Sequence, residues 1–441
     1  MSSWKMVRHG EWRRPLGVRE RMVLRQLDTT RPGHFPGTIT AALRLEHAFD
    51  DDDFARRCEA AWKALRRAHP SIAATIEGGD AVYRTGAHEW VQGTFRIQYG
   101  TGDAAALYAT ARLGGGDKCC LHVLPGSGEV VLSGPHWILD GVGALLLLND
   151  LCRFIATPPM EPELGDEEVS ALSPALEEAA AIPPASPAVW QRAKELVAGW
   201  SAKRNEAVCI PSTPSAGQPG PFGRRRALLS AAATAAVRRA AKSKGLSVTH
   251  LTHAALIVAA ARHDERHSRE EGERPTRHWC GGLPINARPW CSPSHAAGAY
   301  FVGVPCVVDN IWELMEAAQE LKARYREWQD GSHVLQLLEP LEQMTKPPKA
   351  AAEMDGPALP LYSGIGEVER FISVHGQSMQ IRDFWFAMRN ISPRVVDVYC
   401  YTACGRLALD ASFNPTYHSD ESMERLLGGM TELLTEAARN E

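Results

Sequence analysis

His136 and Asp140 stand four residues apart in the run Gly-Pro-His-Trp-Ile-Leu-Asp-Gly, which ends at Gly141. Here residue type and spacing point most directly to chemistry. A histidine can take a proton from a reacting group as a general base. An aspartate at this spacing could orient it as a His–Asp dyad. With 16 histidines and 19 aspartates in 441 residues, about 0.7 His-x-x-x-Asp matches are expected by chance, and about 0.06 once glycine must follow. The second match, His47 to Asp51, reads as a strand end running into an acidic surface turn. Gly141 is read as relieving a tight turn into the next helix.

Other residues invite weaker readings. His250 with His253, and His263 with His267, have spacings a metal could use, but no acidic or cysteine partner accompanies them, so no metal site is expected. Trp137 and Trp385, two of twelve tryptophans, could line an apolar pocket or pack in the core. The ten cysteines include no Cys-x-x-Cys pair, so reduced, mostly buried thiols are expected. The chain carries neither a P-loop nor a dinucleotide fingerprint.

The elements that must position His136 are partly visible. Residues 118–133 read as a hairpin, with Pro-Gly-Ser-Gly as its turn. The run from Val142 to Ala156 is apolar nearly all round and reads as a buried helix. Residues 54–67 place Phe54, Cys58, Ala61, Trp62 and Leu65 at helical spacing, after a strand at 38–47. Further helices are expected at 231–243, 248–262, 311–328 and 420–438, with Ser247 as an N-cap and Gly245 as a helix stop. Strands are expected at 278–285, 299–308, 359–364, 395–402 and 406–413.

From 158 to 224 the composition shifts toward Pro, Ala, Glu and Ser, which predicts a crossover between two lobes. The lobes are placed at 1–180 and 225–441, with the linker at 181–224. A length of 441 residues suits two lobes. With 44% hydrophobic and 23% charged residues the chain is an ordinary globular protein, not a disordered, collagenous or coiled-coil one. A net charge of −4 excludes a general nucleic-acid binder. The longest apolar run is Ala254–Ala261, far short of the ~20 residues of a membrane span. The N-terminal residues lack the apolar core of a signal peptide, so a cytoplasmic location is expected.

The run VVLSGPHWILDGVGALLLLNDL resembles the HxxxDG segment of the condensation-domain and acyl-CoA-dependent acyltransferase superfamily. RCEAAWKALRRAHPSI resembles that family's early helix, LPINARP (283–289) its P-V-N-x-R strand, GAYFVGVP (298–305) its G-N-Y-x-G segment, and YSGIGEVERF (362–371) its S-N-x-G-x-V-D strand. The matches run in family order over most of the chain. With RPLGVRE near the N-terminus, they are most similar to the fungal trichothecene 15-O-acetyltransferase branch.

The resemblance implies an α/β (α+β) fold of two chloramphenicol-acetyltransferase-like lobes, with mixed sheets flanked by helices and an active-site tunnel between them. It implies an enzyme that moves an acyl group, acetyl in the first instance, from acyl-CoA to a hydroxyl of a secondary metabolite, with no bound cofactor. His136 would be the base and Ser363 the oxyanion donor, although Gly364 replaces the family's asparagine. Asp140 would turn from His136 and pair with Arg288, supporting the loop together with Gly141. Asn286, Tyr300, Trp137 and Trp385 would face the tunnel. Arg224, Arg225 and Arg226 could meet a coenzyme A phosphate, although a solvated basic turn is the reading preferred. Pro135 stands where many condensation domains carry a preceding histidine, and Asp383–Ala387 lacks both glycines of the plant-type DFGWG motif. The expected partners are a small-molecule acceptor and acyl-CoA, on a monomer without nucleic acid or membrane. An acyl carrier protein as donor, amide formation, a non-acyl reaction such as cyclisation, and a metabolite-binding pseudoenzyme remain open alternatives.

Overall fold

The computed structural model describes residues 3–25, 37–86, 88–100, 102–110, 113, 117–158, 166–212, 222–264, 277–329, 331–345, 359–373, 379–389 and 394–439. Eleven strands build the sheets that matter for the site. They are β1 (Thr38–His47), β2 (Phe95–Ile97), β3 (Cys120–Leu124), β4 (Glu129–Pro135), β5 (Gly223–Leu228), β6 (Trp279–Asn286), β7 (Phe301–Val308), β8 (Pro360–Glu367), β9 (Met379–Arg389), β10 (Val396–Ala403) and β11 (Arg406–Phe413). The principal helices are α1 (Val18–Arg25), α2 (Asp51–Ala68), α3 (Gly141–Ala156), α4 (Pro187–Lys203), α5 (Ala231–Ser243), α6 (Val248–His263), α7 (Leu314–Gln329) and α8 (Asp420–Arg439).

Two mixed sheets organise the molecule, as expected of this fold class. The first has the order β9-β1-β4-β3-β2, antiparallel except for the parallel pair β2/β3. The second has the order β8-β10-β11-β5, with β8 parallel to β10. Strands β6 and β7 form a separate antiparallel ribbon, in register from Trp279 opposite Val308 to Asn286 opposite Phe301. A small sheet of Lys5–Arg8, Glu11–Pro15, Thr75–Glu77 and Asp80–Arg84 completes the N-terminal part. Strand β9, from the second half of the chain, is an edge strand of the first sheet, and Val18 from the first half sits in the second core.

The helices follow from local chemistry. Asp50 caps α2 by accepting from Asp53 N at 2.8 Å, and Asp51–Asp53 fill its first turn, where acidic groups favour the helix dipole. The acidic run expected as a surface turn after His47 is therefore a helix start. Ser247 caps α6 in a reciprocal box with His250, and Gly245 (φ 65°) follows α5. Every residue of α6 from Leu251 to Ala261 is buried, whereas α3 leaves Asn149 and Asp150 half-buried and Arg153 exposed. In the β3/β4 hairpin Gly128 adopts φ 64°, and a Cβ there would come within 2.4 Å of the Leu45 carbonyl oxygen, so only glycine fits this turn.

All ten cysteines are free thiols, eight of them buried. No helix among the described residues is long and apolar enough to cross a membrane.

Candidate active site

The chain delivers His136 in three steps. Strand β4 ends at Pro135, which has no N–H for the ladder. The Pro135 carbonyl then accepts from both Ile138 N and Leu139 N, turning the chain. Asp140 caps α3 by accepting from Gly143 N at 2.7 Å. His136 N donates to the Gly37 carbonyl at 2.7 Å, which fixes the residue against the start of β1. Its ring stacks on Phe301 of β7, with centroids 5.2 Å apart and planes 13° apart.

Asp140 does not contact the His136 ring. Nδ1 of His136 lies 2.7 Å from the Leu139 carbonyl oxygen, which can only accept, so Nδ1 carries the proton. Nε2 is left as the acceptor nitrogen. Burial in the wall, with the Arg19 charge adding to it, holds the imidazole below its ordinary value of 6.5 despite the Leu139 carbonyl and Asp140.

The Asp140 carboxylate is saturated. Oδ1 and Oδ2 accept from Arg288 Nη1 at 2.7 and 2.8 Å, Oδ1 also from Gly143 N, and Oδ2 from Tyr300 N at 2.8 Å. Arg288 donates its remaining hydrogens to the carbonyls of His295, Ala296 and Gly298, and its guanidinium lies over the Tyr300 ring. Both side chains are buried. Gly298 N donates to the Ile138 carbonyl at 2.6 Å, a further tie between the β6–β7 connection and the histidine loop.

These groups line a cavity of about 490 Å³ between the two sheets and the β6/β7 ribbon, a volume suited to a small organic molecule. Its wall includes His136, Gly141, Asn286, Tyr300 and Ser363 among the residues singled out from sequence, and Asp140 and Arg288 from the ion pair. Asn286 Oδ1 accepts from Arg288 N, while the Tyr300 hydroxyl donates to the Pro174 carbonyl. Gly364 also lines the cavity, without an asparagine side chain.

Several expectations are corrected. Trp137 and Trp385 do not line the cavity. Trp137 is buried in the first core. Successive strand residues face opposite ways, so Phe386 of β9 meets the cavity while Trp385 turns to the other face, against Tyr108 and under Arg224. Arg224, Arg225 and Arg226 are neither a turn nor free for a phosphate. They lie on β5 and pair with Asp410, Asp420 and Asp383. Gly141 has no left-handed backbone and is the first residue of α3. A Cβ there would come within 2.8 Å of Ile365 Cδ1, so the position needs room, not a special turn. His250 belongs to the helix cap, His253 stacks on Tyr362 at 4.1 Å, and His263 meets Ser422, while His267 lies outside the described residues.

Sequence reasoning missed Arg19, Phe301 and Gly143. A Cβ on Gly143 would lie 2.4 Å from the Ala296 carbonyl oxygen and 2.6 Å from Arg288 Nη2. The Gly-x-Gly spacing at 141–143 was the available signal. Arg19 lies in the RPLGVRE run, whose likeness to the family gave it no role in the site.

No family model matches the chain. Acetyltransferase pigO of Monascus ruber is 27% identical over 473 residues, covering 98% of this chain and 97% of that protein. The structure of trichothecene 15-O-acetyltransferase from Fusarium sporotrichioides superposes with a TM-score of 0.79 at 15% identity, covering 99% of this chain and 98% of that one. The condensation domain of the monacolin K polyketide synthase MokA superposes with a TM-score of 0.62 at 14% identity, over 99% of this chain and 98% of that domain. This is the fold of the condensation-domain and acyltransferase superfamily. Of the segments that resemble the superfamily in sequence, the HxxxDG run, LPINARP, GAYFVGVP and YSGIG all contribute residues to the one cavity.

Proposed function

We propose that the chain is an acyltransferase that moves an acetyl group from acetyl-CoA to a hydroxyl of a secondary metabolite, with His136 as general base. The observation that carries this reading is the Nδ1 contact to the Leu139 carbonyl, which leaves Nε2 of a neutral imidazole as the acceptor nitrogen in the wall of the cavity. The acetyltransferase name of pigO supports it.

Nε2 takes the acceptor's hydroxyl proton as that oxygen attacks the thioester carbonyl. The tetrahedral oxyanion is stabilised by the Ser363 hydroxyl, which lies in the same wall. The C–S bond then breaks, and the leaving thiolate recovers the proton from the imidazolium. Transfer is direct, in a ternary complex, with no acyl-enzyme. Asp140 and Arg288 hold the loop and take no proton. We further propose that the protein acts as a monomer in the cytoplasm, as expected from its sequence.

The test is to incubate the protein with acetyl-CoA and a panel of hydroxylated terpenoids, polyketides and alkaloids, and to follow acetylated product by mass spectrometry. Acetyl transfer with initial-rate patterns of a ternary complex is expected. Transfer only from an acyl-loaded carrier protein would replace the donor. An acylated serine or cysteine on the intact protein would overturn direct transfer.

A further inference from the structure

Arg19 of α1 puts a guanidinium into the wall of the same cavity, and nothing in the proposed reaction uses it. Its group stacks on Phe301, with the guanidinium carbon 3.8 Å from the ring centroid, and His136 stacks on that same ring. Cation and imidazole therefore share one aromatic ring. Among the described residues, the Arg19 side chain donates only a weak contact to Met22 Sδ at 3.9 Å, and its Nε is buried without a partner. Asp140 is close enough to be felt by Arg19, but its oxygens are taken by Arg288, Gly143 and Tyr300. Burial brings Arg19 down to about 10, so it is still charged at neutral pH. Arg19 is half-buried, with no carboxylate free to pair with it among the groups around it. Its position beside Phe301 and the base gives that charge a use when an anion arrives.

We propose that Arg19 binds a carboxylate carried by the acceptor, so that the substrate is a hydroxy acid with its carboxylate on Arg19 and its hydroxyl toward His136. This rests on the acyl-transfer reading for the role of the hydroxyl, but the carboxylate contact is measurable without turnover. Guanidinium and carboxylate pair through charge-assisted hydrogen bonds.

The test uses matched hydroxy acids and their methyl esters, such as 4-(hydroxymethyl)benzoate and hydroxynaphthoates, titrated calorimetrically into the full chain and into Arg19→Gln. The acids should bind about 10- to 100-fold more tightly than their esters to the native protein. Arg19→Gln should abolish that preference and leave acetyl-CoA affinity unchanged, and Arg19→Lys should restore part of it. Arg19→Gln should also melt no lower than the native protein without ligand, because it removes an uncompensated charge. Four results would overturn the proposal: no acid outbinding its ester, a preference that survives Arg19→Gln, a loss confined to acetyl-CoA affinity (which assigns Arg19 to the donor's phosphates), or a lower kcat with unchanged acid and ester binding (which assigns it to the oxyanion). Loss of acetyl transfer with the acid preference intact would sink the acyl-transfer reading alone.

Discussion

A neutral imidazole has one donor and one acceptor nitrogen, and at His136 the Leu139 carbonyl decides which is which. This is the work the aspartate does in a His–Asp dyad, done here by a backbone group that cannot titrate. His136→Ala should therefore lower turnover by ~10²–10⁴-fold while the melting temperature stays near that of the native protein. Near-native turnover would remove the base assignment. The pH profile is a separate check. Burial disfavours the imidazolium and puts the pKa below 6.5, and the proposed base is the neutral form that exists above that pKa. The profile of kcat/KM should therefore be flat through neutrality and fall only on the acid side of the ordinary imidazole range. A break at or above 6.5 contradicts this.

At the scale of elements, the first turn of α3 controls where the histidine loop lies. Asp140 caps that turn, and Gly143 lets the Ala296 carbonyl and Arg288 close over it. The obstacle facing a Cβ at 143 is a backbone oxygen, which cannot swing aside. Gly143→Ala should destabilise by ~1–3 kcal/mol through overpacking and lower kcat as the loop shifts. Gly141→Ala meets only the tip of the Ile365 side chain and should cost less. Thermal melts of the two variants side by side check the order, and equal melting temperatures would show that the Ala296 contact does not constrain the helix start.

At the scale of the whole molecule, Asp140 and Arg288 are 148 positions apart and join the histidine loop to the turn after β6. The site is therefore assembled only when the two halves of the chain dock. Each partner is fully hydrogen-bonded, so removing one strands the other in a buried place, at ~3–5 kcal/mol. Asp140→Ala and Arg288→Ala should each lower the melting temperature and the activity. The double variant should lose clearly less than their sum, because the second removal relieves the stranded charge. Additive losses in a double-mutant cycle by denaturant unfolding would show that the pair does not act as a unit.

What the sequence by itself determined is local. The strand at 38–47, the helix at 231–243 and the cap at Ser247 were legible because periodicity, caps and turn residues act within a few positions. The His136 loop was legible because a hairpin, a polar turn and an apolar helix follow one another without interruption. Several strands escaped notice, β5 and β9 among them and with them the short strands of the N-terminal part. In β9 the residues Phe384–Ala387 are buried on both faces and show no alternation, and β5 is a run of arginines whose carboxylate partners come from elsewhere in the chain. Only the tertiary structure turned Trp385 away from the cavity, paired Arg224 through Arg226, and set Arg19 and His136 on one Phe301 ring. Those placements depend on which distant strand or carboxylate a residue meets, and contacts of that kind leave no period or spacing in the chain to read.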